Sequence, residues 1–197
     1  MPRPKSYDRQ EAVEKACNVF WEHGFQNLGV REIERLTGIN QFAIRSEFGG
    51  KEGLYLEALR CYCDAAIETE MAPMQRGGIP EIIAFFEGLT AHGSATSSDF
   101  GCLIVNTGIE NARLRSPRLE AVVRAYWDAL ETRFRQALEN ERAAHGIAAT
   151  FEPRALAASL VPAVMGIHAQ NRSLQDRMAG RPLVDLVCAL LRSHRAA

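Results

Sequence analysis

The sequence predicts an all-α chain of about nine helices, with an N-terminal three-helix domain followed by a larger helical domain. Three observations carry that expectation. Apolar residues recur at i, i+3, i+4 and i+7 through most of the chain, and almost nothing alternates with the period of two that a half-buried strand needs. Gly and Pro interrupt the periodic runs at helix-length intervals. Residues 29–48 read as two short helices joined by a Gly-containing turn, which is helix-turn-helix spacing.

The elements follow in order. A first helix is expected from about Tyr7 to His23, with Val13, Ala16, Cys17, Phe20 and Trp21 on one apolar stripe and Gly24 past its end. A second spans about Val30 to Leu36. Thr37-Gly38-Ile39-Asn40 forms the turn, in which Gly38 allows the backbone reversal and Asn40 caps the third helix, Gln41 to Glu47. A fourth opens near Lys51 and runs to about Glu70, before Pro73 and Gly77-Gly78 break the pattern. Further helices are expected from Pro80 to Ala91, from near Gly101-Cys102, and from Pro117 to about Ala144. The last two run from Glu152-Pro153 to about Asp176 and from Leu183 to His194. The domain division is drawn at residues 1–50 and 51–197.

Composition bounds the function classes. Apolar residues make up 47%, an ordinary globular share, and no apolar run approaches the ~18 residues of a membrane span. Arg3 and Lys5 lead into a charged helix rather than an apolar stretch, so no secretory signal and a cytoplasmic location are expected. Five cysteines, an odd number, argue for thiols rather than a disulfide framework. Net charge is −1, and the first 52 residues balance eight Lys/Arg against eight Asp/Glu. Bulk charge therefore does not announce nucleic acid; only Arg3, Lys5 and Arg9 form a local basic arm. No nucleophile elbow, HExxH or phosphate loop is present, and the five histidines show no metal spacing, so neither catalysis, a metal nor a cofactor is expected.

A helix-turn-helix lays its second helix in the DNA major groove, where side chains reach base edges. By itself the motif also fits an ordinary corner between core helices. The run from Ala12 through Leu59, however, resembles the DNA-binding domain of the TetR (tetracycline-repressor-like) family. The matching residues are Ala16, Phe20, Gly24-Phe25, Val30-Arg31-Glu32-Ile33, Gly38-Ile39, Ile44, Phe48 and Lys51-Glu52-Gly53-Leu54-Tyr55. The resemblance implies a homodimeric regulator that binds a palindromic double-stranded operator. A small molecule or reactive electrophile in the C-terminal domain shifts helix four, respaces the recognition helices and releases the DNA. DNA contact is accordingly expected at Gln41, Phe42, Ala43, Arg45, Ser46, Glu47 and Lys51.

The chain departs from the family pattern. Leu28 and Gly29 stand where Thr or Ser is usual, Arg45 where Tyr is usual, Glu47 where His or Tyr is frequent, and Phe42 where a small residue is common. Arg45 fits guanine or phosphate. Phe42 fits a thymine methyl or a packing role. Glu47 fits a cytosine amino group but would also repel phosphate. Lys51 opens a helix, where a phosphate is welcome, or is simply solvated.

In the second domain, Gly101-Cys102-Leu103-Ile104-Val105-Asn106 resembles the start of helix six in a TetR subgroup, some members of which sense electrophiles through cysteine. Cys102 at a helix N-terminus is expected to ionise more readily than the other thiols, or else to be a small buried hydrophobe. Ligand contact is expected at Tyr62, Phe85, Phe86, Cys102, Asn106, Tyr126, Trp127, Met165 and His168. The apolar stripes of the last two helices, Leu156, Leu160, Val164 and Ile167 with Leu183, Leu186, Val187 and Leu190, are expected to pair with their symmetry mates. Two rivals stand beside this reading: a helical enzyme, and a helical interaction protein that has lost DNA binding.

Overall fold

The computed structural model describes residues 8–94, 96–145 and 152–194; the basic arm at Arg3 and Lys5, and the expected helix start at Tyr7, lie outside them. The described residues form nine α-helices and no strand. These are α1 (Arg9–His23), α2 (Val30–Thr37), α3 (Gln41–Glu47), α4 (Lys51–Ala66), α5 (Ile79–Gly88), α6 (Leu103–Leu114), α7 (Pro117–His145), α8 (Pro153–Leu174) and α9 (Arg181–Ser193).

Local chemistry sets the boundaries. Asp8 caps α1 by accepting the Glu11 N–H at 2.9 Å. α4 was expected to reach Glu70. It instead gives way to a π turn at Ile67–Met71 and a 3-10 turn at Ala72–Gln75, because Pro73 has no N–H to continue the ladder and crowds the carbonyl four residues back. α5 starts where Glu81 accepts the Gly78 N–H at 2.6 Å and Glu141 of α7 accepts that of Ile79 at 2.9 Å. α8 stops at Gln175, whose left-handed φ of 50° ends the ladder.

The head, α1 to α3, closes over Phe20, Ile33, Ile39, Ile44 and Phe48. α4 packs along α1 and carries Tyr55 between Phe20 and Phe25, with ring centroids 4.7 Å from each. α7, the longest helix, runs against α4, α5, α6 and α8. Phe134 on α7 stacks with Phe86 and meets Phe85 edge-on, which fills the far end of the core.

Candidate nucleic-acid interface and sensor core

The turn of the head is built by three neighbouring side chains. The Thr37 hydroxyl donates to the Ile33 carbonyl at 2.7 Å and accepts the Ile39 N–H at 3.1 Å. Gly38 takes φ 77°, left-handed, and its N–H returns to the Glu34 carbonyl. Asn40 then caps α3 by accepting the Ala43 N–H at 2.8 Å. α3 is thereby aimed across α2, with Ala43 and Ile44 buried and its other side facing outward.

The outward residues are not equally free. Gln41 Nε2 donates to Glu34 at 2.6 Å. Ser46 Oγ donates to the Phe42 carbonyl at 2.8 Å. Glu47 lies 4.0 Å from Arg9, whose guanidinium also bonds Glu57 at 2.6 and 2.7 Å and covers the Phe48 ring. Phe42, by contrast, is 79% exposed, and Arg45 is exposed with no hydrogen-bond or ion-pair partner among the described residues. Lys51 lies half-buried with its ammonium 4.3 Å over the Phe25 ring. Burial there pulls its pKa below the usual lysine value, against the pull of Glu110. Ala43 corrects an expectation: its side chain is packed into the head and cannot touch a base. Sequence reasoning missed Arg31, exposed in the first turn of α2 and likewise without a partner among the described residues. The signal for it was present, since a cation beside an uncapped helix start suits a phosphate.

Polar grips tie this head to the second domain. Glu110 of α6 accepts the N–H groups of Phe25 and Gln26 at 3.2 and 2.8 Å. Arg172 of α8 donates to the Trp21 and Glu22 carbonyls at the end of α1. Trp21 Nε1 donates to the Gly101 carbonyl at 2.9 Å, and the Tyr55 and Thr107 hydroxyls meet at 2.7 Å. A shift of α6 or α8 would therefore be felt at the end of α1 as well as through α4.

Between α4 and α7 runs a solvent-open groove of about 490 Å³. Leu56, Cys63, Ile67, Val122 and Tyr126 supply apolar walls, and Arg60, Asp64 and Arg118 supply charge. Of the residues expected to contact ligand, Tyr126 lines this groove. Tyr62, Cys102 and Trp127 lie beyond it: Tyr62 donates to Cys102 Sγ at 3.3 Å, and the Tyr126 ring lies 6.4 Å from Tyr62 and 5.1 Å from Trp127. Phe85 and Phe86 sit instead in the Phe134 cluster, and the Asn106 amide is spent on the Phe100 carbonyl at 3.0 Å. Met165 is half-buried on α8. His168 is buried with Nδ1 unpartnered among the described residues, and burial lowers its pKa to about 4.

Cys102 does not match the expected reactive thiol. It is the N-cap of α6, but it is fully buried, and burial raises its pKa in spite of the Tyr62 hydroxyl and the α6 amides that favour thiolate. Desolvation outweighs the helix terminus here. Burial likewise raises Cys63, and raises Cys17 to about 12. Cys61 is the least buried of the four thiols on α1, α4 and α6.

At the C-terminal end, Leu156, Leu160, Val164, Ile167 and Val187 are buried within the chain itself, so their apolar stripe is already satisfied without a second copy. Leu186 and Leu190 are 65% and 44% exposed, and Leu183 is half-buried. On α8 the outward side is Ser159, Pro162, Ala163, Gly166 and Gln170, a low surface beside those leucines.

The comparisons agree over both domains. Residues 12–58 match the family model of bacterial regulatory proteins, tetR family, and residues 78–185 match that of the tetracyclin repressor-like C-terminal domain. The HTH-type transcriptional repressor ComR of Escherichia coli (strain K12) is 27% identical over 107 residues, 53% of this chain and 51% of ComR. The chain thus spans about half the length of the curated relatives it matches. A TetR transcriptional regulator from Chloroflexus aurantiacus J-10-FL superposes with TM-score 0.80 at 23% identity, covering 96% of each chain. A cysteine mutant of CifR solved with 26-bp double-strand operator DNA superposes with TM-score 0.78 at 22% identity, covering 98% of this chain and 99% of that one.

Proposed function

The chain belongs to the TetR family of bacterial regulatory proteins, and on that premise we propose that it is a homodimeric transcriptional repressor, released from a palindromic operator by a small effector. Residues 1–50 serve as the DNA-binding domain and residues 51–197 as the effector and dimerisation domain. The observation that carries the reading is the free chemistry of the head. Arg31 and Arg45 are exposed and without a partner among the described residues, while Glu11, Glu32, Glu34 and Glu47 are engaged by Lys15, Arg35, Gln41 and Arg9, so a neutral domain still offers free cations. The free arginines favour DNA binding over the rival reading of a protein that has lost it.

The α4–α7 groove takes the effector in this reading. A molecule wedged between Leu56 and Val122 pushes on α4, which is separated from the end of α3 by only three residues. The Glu110 and Arg172 grips make α1 follow. The family is one of transcriptional regulators, and dimers are typical of it. The second copy docks on α8 and α9 through Leu186 and Leu190, across the small residues of α8. Two heads so joined would read half-sites about one DNA turn, or a multiple of it, apart.

Selection of bound fragments from a random DNA pool tests this. A two-fold symmetric motif is the expected product. Enrichment of no sequence, or of a motif without symmetry, would overturn the proposal.

A further inference from the structure

We infer that the recognition helix reads a thymine methyl group beside a guanine, with the Phe42 ring against the methyl and the Arg45 guanidinium on the guanine edge. The inference rests on the DNA-binding reading and adds the base chemistry to it.

It follows from what the structure removes. α3 has seven residues, and Ala43 and Ile44 are buried. The Gln41 amide is held by Glu34, and the Ser46 hydroxyl is spent on its own helix. Glu47 is drawn back towards Arg9. Among the described residues, what remains facing outward without an engagement is one aromatic ring and one guanidinium. Phe42 is 79% exposed, so its ring is free to cover an apolar group of the duplex, and Arg45 is exposed on the same helix.

The major groove supplies matching chemistry. Thymine is the base with a methyl there, and guanine offers the N7/O6 acceptor pair that an arginine fork fits. Phe42 is the second residue of α3, in the N-terminal part that meets base edges in helix-turn-helix complexes. Arg45 follows three residues later on the same side, about 4.5 Å along the axis. Base pairs are spaced about 3.4 Å apart. The thymine and the guanine therefore belong to neighbouring base pairs, on the same strand or on opposite strands.

The test uses the full-length protein and the duplex that it enriches from a random pool. Single thymines are replaced by deoxyuridine, which removes only the methyl, and single guanines by 7-deazaguanine, which removes N7. Binding is read by fluorescence anisotropy. A buried methyl is worth about 0.8 kcal/mol, or about fourfold in Kd. One thymine per half-site should show that loss, and the sensitive guanine should lie in a neighbouring base pair. Phe42→Ala should bind the thymine and uracil duplexes alike, while Phe42→Leu keeps part of the difference. Arg45→Ala should become indifferent to 7-deazaguanine at the sensitive position. Both side chains are exposed, so each variant should keep the wild-type melting temperature. An enriched duplex indifferent to uracil everywhere, or a Phe42→Ala variant that still distinguishes thymine from uracil, overturns the inference and leaves the repressor reading standing. A pool that enriches nothing overturns both.

Discussion

Gly53→Ala probes the junction through which α4 acts on α3. Gly53 lies in the first turn of α4, and a Cβ built there would sit 1.6 Å from the Phe48 carbonyl oxygen and 2.8 Å from its carbon. An ordinary carbon–oxygen contact is about 3.3 Å, so the end of α3 must move by on the order of 1.5 Å. The obstacle is backbone, and no rotamer change relieves it. Overpacking costs ~1–3 kcal/mol, and a clash this close with backbone belongs to the upper half of that range, ~2–3 kcal/mol, against ~1 kcal/mol gained by replacing a helical glycine. The net loss is about 1–2 kcal/mol, or roughly 2–8 °C in melting temperature for a chain of this size. Operator affinity should fall further than stability, because a displaced recognition helix loses base contacts worth ~1–3 kcal/mol each. Calorimetry and anisotropy on one selected duplex measure the two effects. Gly108→Ala is the control: the nearest atom to its Cβ is Val123 Cγ1 at 3.7 Å, so that variant should melt at or above the wild type. If Gly53→Ala does the same and binds DNA normally, the junction does not transmit position.

Three further outcomes are expected. Leu186→Glu with Leu190→Glu puts charge on the exposed apolar face of α9 and should give a folded monomer by sedimentation, with weakened operator binding; a dimer that persists would move the interface elsewhere. His168 has a folded pKa of about 4, below its unfolded 6.5, so its contribution is fully present above pH 6.5 and is lost as pH falls towards 4. The shift corresponds to about 3 kcal/mol, and urea denaturation of the wild type and His168→Leu should diverge by that order between pH 7 and 4, whereas parallel profiles would show that the imidazole is not neutral and buried. N-ethylmaleimide followed by mass spectrometry should label Cys61 before Cys17, Cys63 or Cys102; first reaction at Cys102 would restore it as a sensing thiol.

The helix-turn-helix was legible because its chemistry is local. Thr37, Gly38 and Asn40 make the turn with partners at most four residues away. What was not legible depended on distant partners. Glu47 and Gln41 read as outward polar groups until Arg9 and Glu34 are seen beside them. The stripe from Leu156 to Ile167 is apolar whether its own chain or a second copy covers it, and only packing shows that its own chain does. For Cys102 the sequence left open a reactive thiol at a helix terminus, an effect of one turn, and a small buried hydrophobe; burial in the surrounding core raises its pKa and favours the second. Of the groove only Tyr126 was among the expected ligand contacts, because its charged walls, Arg60, Asp64 and Arg118, are brought together only by the packing of α4 on α7.

Repression of this kind requires that the cationic face of a neutral head bind an operator. The most direct measurement is operator affinity against salt concentration, for the wild type and for Arg31→Ala. Each phosphate neutralised contributes a slope of about −0.9 in log K against log salt. A steep negative slope is expected for the wild type, reduced by about one per half-site in Arg31→Ala with sequence preference unchanged. Binding that is indifferent to salt, or no binding to any selected duplex, would contradict it.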